Sequence, residues 1–344
     1  MWGIAAPATS QEHVTVRADT LFYGDDTEFR NQFRDGETIF GAAIRGAILF
    51  DVNERVRLAL GAFGNLRFGG NDAFEQVRPV VSLTIVSGPS TFVFGTLQTP
   101  QAAIVPGPDR TGPHGLLPPL QRETLAFERP YEAGLSWTLD HPRLRGTHWI
   151  NWQRLNTERH RERFDAGAAG EIRATNRIAI PYQAHVVHEG GQLFPSGPVA
   201  DSVAIASGVI VRVATAFFDH VRLEVYGLVS RHVPDRSAPE RSRSGAGFFT
   251  RADAERRGWR GHLIVWRGDD FLTDEGDPNY LSATRDGRRY RGVRDYAETG
   301  VTRTIKPAAD VVLEVSGRVH RIERHYEYSF RVLATAAVSL RLKP

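Results

Sequence analysis

Apolar side chains recur at every second position over long stretches of this chain. In the closing stretch, Tyr328, Phe330, Val332, Ala334, Ala336, Val338, Leu340 and Leu342 share one face. Ser329, Arg331, Thr335, Ser339 and Arg341 share the other, with Leu333 and Ala337 as exceptions. Side chains alternate across a strand with period two, so this stretch predicts one strand with an apolar and a charged face. Its length of about 15 residues exceeds the 5 or 6 usual in globular proteins.

The pattern repeats upstream. Phe40, Ala42, Ile44, Ile48, Phe50 and Val52 alternate against Arg45 and Asp51. Val56, Leu58, Leu60, Ala62, Leu66 and Phe68 alternate against Arg55, Arg57, Asn65 and Arg67. Val77, Val81, Leu83 and Ile85 face away from Arg78, Ser82 and Thr84. Similar segments include Tyr131–Leu139, Val221–Ser230 and Val311–His320. Helical 3.6-residue periodicity is scarce, so the chain is all-β. Long polar links (24–37, 69–76, 99–129, 157–167, 189–201, 234–246 and 268–287) alternate with short ones such as 51–55 and 87–90. About sixteen strands are predicted.

Charged residues, on so many faces opposite apolar ones, need water, while the apolar faces need an apolar exterior. Long strands with long links at one end and short turns at the other satisfy both as a closed sheet around an aqueous lumen within a bilayer. Residues 13–344 are therefore expected to form one transmembrane antiparallel up-and-down β-barrel, with 1–12 as a residual leader or N-terminal extension. In strand number, loop asymmetry and terminal strand the chain resembles Gram-negative outer-membrane porins. The resemblance implies a cell outer membrane location, passage of small hydrophilic solutes, contact with outer-membrane lipid and lipopolysaccharide, and a homo-trimer. It departs at the C-terminus, where Leu342, Lys343 and Pro344 replace the aromatic residue on which such barrels commonly end.

Composition narrows the picture. The 344 residues contain no cysteine, which excludes disulfides and thiolate metal sites. No apolar run reaches the roughly 18 residues of a spanning helix. A net charge of +3 is too small to imply nucleic-acid binding. Of the 43 basic residues only Lys306 and Lys343 are lysines, and arginine's permanently charged fork suits a polar lumen.

The proline-rich link 99–129 is the third long one. In porins the third loop characteristically folds into the lumen, which would bring Asp109, Arg110, His114, Arg122, Glu123 and Glu128 to a constriction. Opposed acids and bases there would sort solutes by charge. Lumen-facing arginines (Arg45, Arg57, Arg67, Arg78, Arg222, Arg318 and Arg331 among them) exceed the acids beside them, including Asp51, Glu132, Glu224, Glu298 and Glu314. This predicts mild anion preference. Asp274, Glu275 and Asp277 form a weak calcium candidate whose spacing does not match an EF-hand, and no cofactor is expected. No nucleophile elbow, H-E-x-x-H or phosphate-binding loop is present, which argues against an enzyme. His185, His188, His262, His320 and His325 lie on or beside strands, so a barrel-borne hydrolase is one alternative to a diffusion channel. Export of an anionic polysaccharide, a plugged scaffold for a partner protein and a soluble all-β binding protein are the others.

Overall fold

The computed structural model describes residues 13–97 and 113–342. Its strands are β1 (His13–Arg30), β2 (Asp35–Asn53), β3 (Val56–Arg67), β4 (Gln76–Ser87), β5 (Ser90–Thr96), β6 (Ala133–His141), β7 (Leu144–Arg154) and β8 (Glu162–Arg173). They continue as β9 (Ile178–Gly190), β10 (Ala200–Val213), β11 (His220–Val233), β12 (Arg243–Arg256), β13 (Trp259–Asp269), β14 (Arg294–Ala308), β15 (Val311–Ile322) and β16 (His325–Leu342). Each pairs antiparallel with its sequence neighbours, and β16 returns to β1, so the sixteen strands form a closed barrel. The closing seam runs from Val14 opposite Leu342 to Glu28 opposite Tyr328. Every ladder therefore has a partner on both sides, which removes sheet edges.

The alternation sorts side chains as the period requires. On β16, Tyr328, Phe330, Val332, Val338 and Leu340 point outward and are exposed, whereas Ser329 is buried on the inner face. Phe22, Ile44, Leu60, Val81, Leu223, Val265 and Val319 likewise point outward from seven other strands. Aromatic side chains mark both rims: Phe68, Trp152 and Tyr326 at one end, Phe217 and Trp259 at the other. This apolar belt between aromatic girdles is the surface of an outer-membrane barrel, and the protein is one. Among the described residues no helix is long and apolar enough to cross a membrane.

Connections of two to six residues lie at the end carrying the β2–β3 turn. Five are two residues long, and one of them, Arg257–Gly258, has φ of 49° and 77° at its two residues, the left-handed pair of a type I′ hairpin. Most connections at the opposite end are longer, with two differences from expectation. The polar stretch 24–37 is strand for most of its length, β1 reaching Arg30 and β2 starting at Asp35. Asp25 and Thr27 turn inward and are buried, Asp26 accepts a hydrogen bond from Thr38 across the ladder, and Thr27 bonds the Glu37 backbone. These strands project beyond the apolar belt, where polar residues suit both faces. The β15–β16 turn at this end is also tight, comprising only residues 323–324.

Arginine at position 332, near the middle of β16, should cost about 2–4 kcal/mol, and at position 338, nearer the rim, much less. Urea unfolding of Val332→Arg and Val338→Arg in lipid checks this; equal costs would contradict the placement of the belt.

Candidate functional site in the lumen

Residues 113–129 fold into the barrel. Three of their buried side chains, Leu116, Leu117 and Leu120, sit among the wall aromatics Trp149, Tyr226, Phe249, Trp266 and Tyr296. A single helical turn, α1 (Leu125–Glu128), stacks Phe127 on Tyr23 of the wall at 5.1 Å. The 270–293 connection enters from the same end and buries Phe271, Leu272 and Tyr280. The two inward segments are knitted together by their backbones. Arg122 N–H donates to the Glu275 carbonyl at 2.7 Å, Asp277 N–H to that of Pro118 at 2.8 Å, and Thr273 Oγ1 to that of Pro119 at 2.8 Å. Pro118 and Pro119 have no N–H to donate, so this stretch joins its neighbour through their carbonyls, which accept from the 270–293 connection.

Charge fastens the inner segment to the wall. Glu123 accepts from Arg318 at 2.9 Å and from Arg331, which also forks onto Asp25 at 3.1 Å. Burial pushes the Glu123 pKa up, but the guanidinium groups of Arg318 and Arg331 outweigh it and hold the carboxyl well below the usual carboxylate range. Arg318 also lies 3.6 Å from Glu298, and Arg251 forks onto Asp253 at 2.7 and 2.8 Å.

Two cavities lined in part by charged residues flank this packing. One, of about 610 Å³, is lined by Thr138, Arg145, Thr147, Glu171, Arg212 and Gln183 and reaches the short-turn end. The other, of about 580 Å³, is lined by Arg78, Arg129, Gln153, Arg154, Leu155 and Glu275 and reaches the long-loop end. His114 borders the first and Glu132 the second. His114 Nε2 lies 3.0 Å from Glu132, and its ring stacks on Trp149 at 3.8 Å. Both side chains are about 5% exposed. The His114–Glu132 contact thus joins a residue bordering one cavity to a residue bordering the other.

The family model described as lipid A 3′-O-deacylase-type matches residues 6–343. The chain belongs to that family. Among solved structures, a loop-deletion mutant of OmpT, an outer membrane protein of Vibrio cholerae, is 10% identical with a TM-score of 0.58. That match covers 95% of this chain and 99% of the other. OpdK of Pseudomonas aeruginosa is 10% identical with a TM-score of 0.53 over 95% and 99%. In-vitro-folded OmpT in its trimer form is 9% identical with a TM-score of 0.55 over 95% and 99%. At these identities the likeness establishes the porin-type barrel fold. The search of curated proteins returned no match.

In this family member the expected site residues are dispersed. Asp109 and Arg110 lie outside the described residues. Arg122 pairs locally with Glu128, while Glu123 and His114 reach the lumen contacts above. Arg57 pairs with Asp51 at 2.5 Å, Arg67 with Glu75 at 3.4 Å and Arg222 with Glu224 at 2.6 Å. Arg45 donates to the Leu97 carbonyl at 3.2 Å, and Arg78 lines the outer cavity. Asp274, Glu275 and Asp277 diverge: Asp274 faces His232 at 3.1 Å and Asp277 faces Arg34 at 2.8 Å. Glu275 instead points inward to Asp165 and His185, which the expected site did not include. Alternation puts both on the polar face, but only the β8–β9 register brings Gly167 opposite His185 and so Asp165 diagonally beside it.

Glu123→Gln should loosen the inner segment, at the low end of the roughly 3–5 kcal/mol for breaking a buried ion pair, because Asp25 and Glu298 still serve the arginines. A carboxyl with a depressed folded pKa adds stability above its unfolded value of about 4.5 and loses it as pH falls through the folded value. Wild-type current noise in planar bilayers should thus stay flat from pH 7 to 5 and rise only well below that window. Glu123→Gln should be noisy at neutral pH; a quiet variant would contradict the clamp.

Proposed function

We propose that the protein is an outer-membrane channel for small hydrophilic solutes, held narrow by its third loop. The observation that carries the reading is the pair of cavities lined by charged residues, one towards each mouth, bordered by the two partners of the buried His114–Glu132 contact. A lumen built only for support has no need of a chamber at each end. Solute moves when the His114–Glu132 contact opens. Most arginines at the constriction are matched by acids, as are Arg145 (Asp140) and Arg154 (Glu189) in the cavities, so a mild preference for anions rests on cavity arginines with no acid beside them among the described residues, such as Arg78. Lipopolysaccharide phosphates at the long-loop rim and a trimeric assembly belong to the same proposal.

His114→Ala and Glu132→Ala should each raise single-channel conductance roughly twofold or more, as removal of a constriction does. Unchanged conductance in both would place the barrier elsewhere.

The family name supports a second reading, deacylation of lipid A, and one contact favours it. Ser329 Oγ lies 2.8 Å from His320 Nε2, while His320 Nδ1 lies 2.7 Å from the Tyr296 hydroxyl and 3.4 Å from Glu298. This is the order of a nucleophile, base and orienting acid. The adjoining cavity is only about 30 Å³, room for one water and not for an acyl chain, which puts this reading second. Mass spectrometry of lipid A from cells expressing the protein should show an unchanged acyl count. Loss of one acyl chain, abolished by Ser329→Ala, would replace the channel reading.

A further inference from the structure

Asp165, His185 and Glu275 meet at the floor of the outer cavity, with side chains 1–2% exposed. His185 Nδ1 lies 3.2 Å from the Leu120 carbonyl oxygen. A carbonyl only accepts, so Nδ1 carries the hydrogen. The lone pair on Nε2 then points at Asp165 Oδ2, 3.5 Å away, and Glu275 Oε2, 3.6 Å away. Both His185 Nε2 and Glu275 Oε2 are buried and lack a hydrogen-bond partner. Three lone pairs thus converge on one gap, an arrangement that costs free energy unless a cation occupies it.

The surrounding contacts fix these ligands from behind. Asp165 Oδ1 accepts from Asn151 Nδ2 at 2.8 Å and Gln153 Nε2 at 2.9 Å, and its Oδ2 accepts from Trp149 Nε1 at 2.9 Å. Glu275 Oε1 accepts from Arg129 at 2.6 Å and Gln153 at 2.9 Å and lies 3.6 Å from Arg163, which leaves Oε2 for the gap. A histidine bonded through its other nitrogen to a backbone carbonyl, beside carboxylates held by further donors, is the outer shell of a metal ligand set. A tetrahedral ion with bonds of about 2.1 Å keeps its donors about 3.4 Å apart. The two His185 separations match that spacing, and all three donor atoms lie within 4.8 Å of one another.

We propose that Asp165, His185 and Glu275 bind a divalent transition-metal ion of the zinc class, entering from the outer cavity. One imidazole and two carboxylates suit zinc better than calcium, which takes six to eight oxygens. Glu275 comes from the 270–293 segment and the other two ligands from β8 and β9, so the ion pins the inward segment to the wall. The inference is independent of the channel reading, since metal content and conductance are separate measurements and either can fail alone. The rival occupant is a proton on Nε2, which would face the same two carboxylates.

Chelator-treated protein, refolded in detergent, is titrated with Co²⁺ and followed by its visible d–d absorption. Wild type should bind one ion per chain. Asp274→Asn, altered beside the site, should bind equally, and His185→Gln and Asp165→Asn should each lose roughly 10–100-fold or more in affinity. Heat-modifiable migration on gels shows whether each variant still forms a barrel. Absence of stoichiometric binding in wild type would assign the gap to a proton. Equal binding by wild type and a folded His185→Gln would make the ion an adventitious one and also overturn the site.

Discussion

In hydrocarbon no water is present to satisfy an unpaired peptide group, and each one left unpaired costs several kcal/mol. The closed ladder of sixteen strands meets that constraint, and the other features follow from it. Closure fixes a period of two on every strand. The period hands one face to lipid and the other to the lumen. Because the outer face is largely apolar between its aromatic rims, most of the chain's charge away from the rims is accommodated inside.

That interior charge determines how the lumen is filled. Arginines on neighbouring strands repel one another unless acids are interleaved. Some acids come from the wall, as with Glu224 beside Arg222 and Asp253 beside Arg251. Others are delivered by the inward segments, most clearly Glu123 between Arg318 and Arg331. The same segments carry leucines and aromatics that pack against the wall aromatics, so the lumen has an apolar core as well as a charged network. Among the described residues, cavities of about 610 and 580 Å³ remain open towards the two mouths.

The fold was legible because alternation is a local property that survives without knowledge of any partner. Val332 and Arg331 declare their faces by adjacency alone. The ends of strands were harder: residues 24–37 read as a loop because polarity on both faces looks the same whether a strand projects into water or a loop wanders there. The lumen site was legible only in part. Glu123 and His114 lie on a segment whose length and prolines marked it out, whereas Asp165 and His185 became neighbours of Glu275 through strand register and the course of a second loop. Neither quantity is encoded within a few residues, and a shift of one residue in register would face either side chain to lipid.

The absence of cysteine makes the divided lumen directly accessible to test. Thr147→Cys places a single thiol in the short-turn chamber and Leu155→Cys one in the long-loop chamber. A bulky, membrane-impermeant maleimide added to one side of a planar bilayer should react with Thr147→Cys only from the short-turn side and with Leu155→Cys only from the long-loop side. Equal labelling of both thiols from either side would mean an undivided pore and would contradict the account.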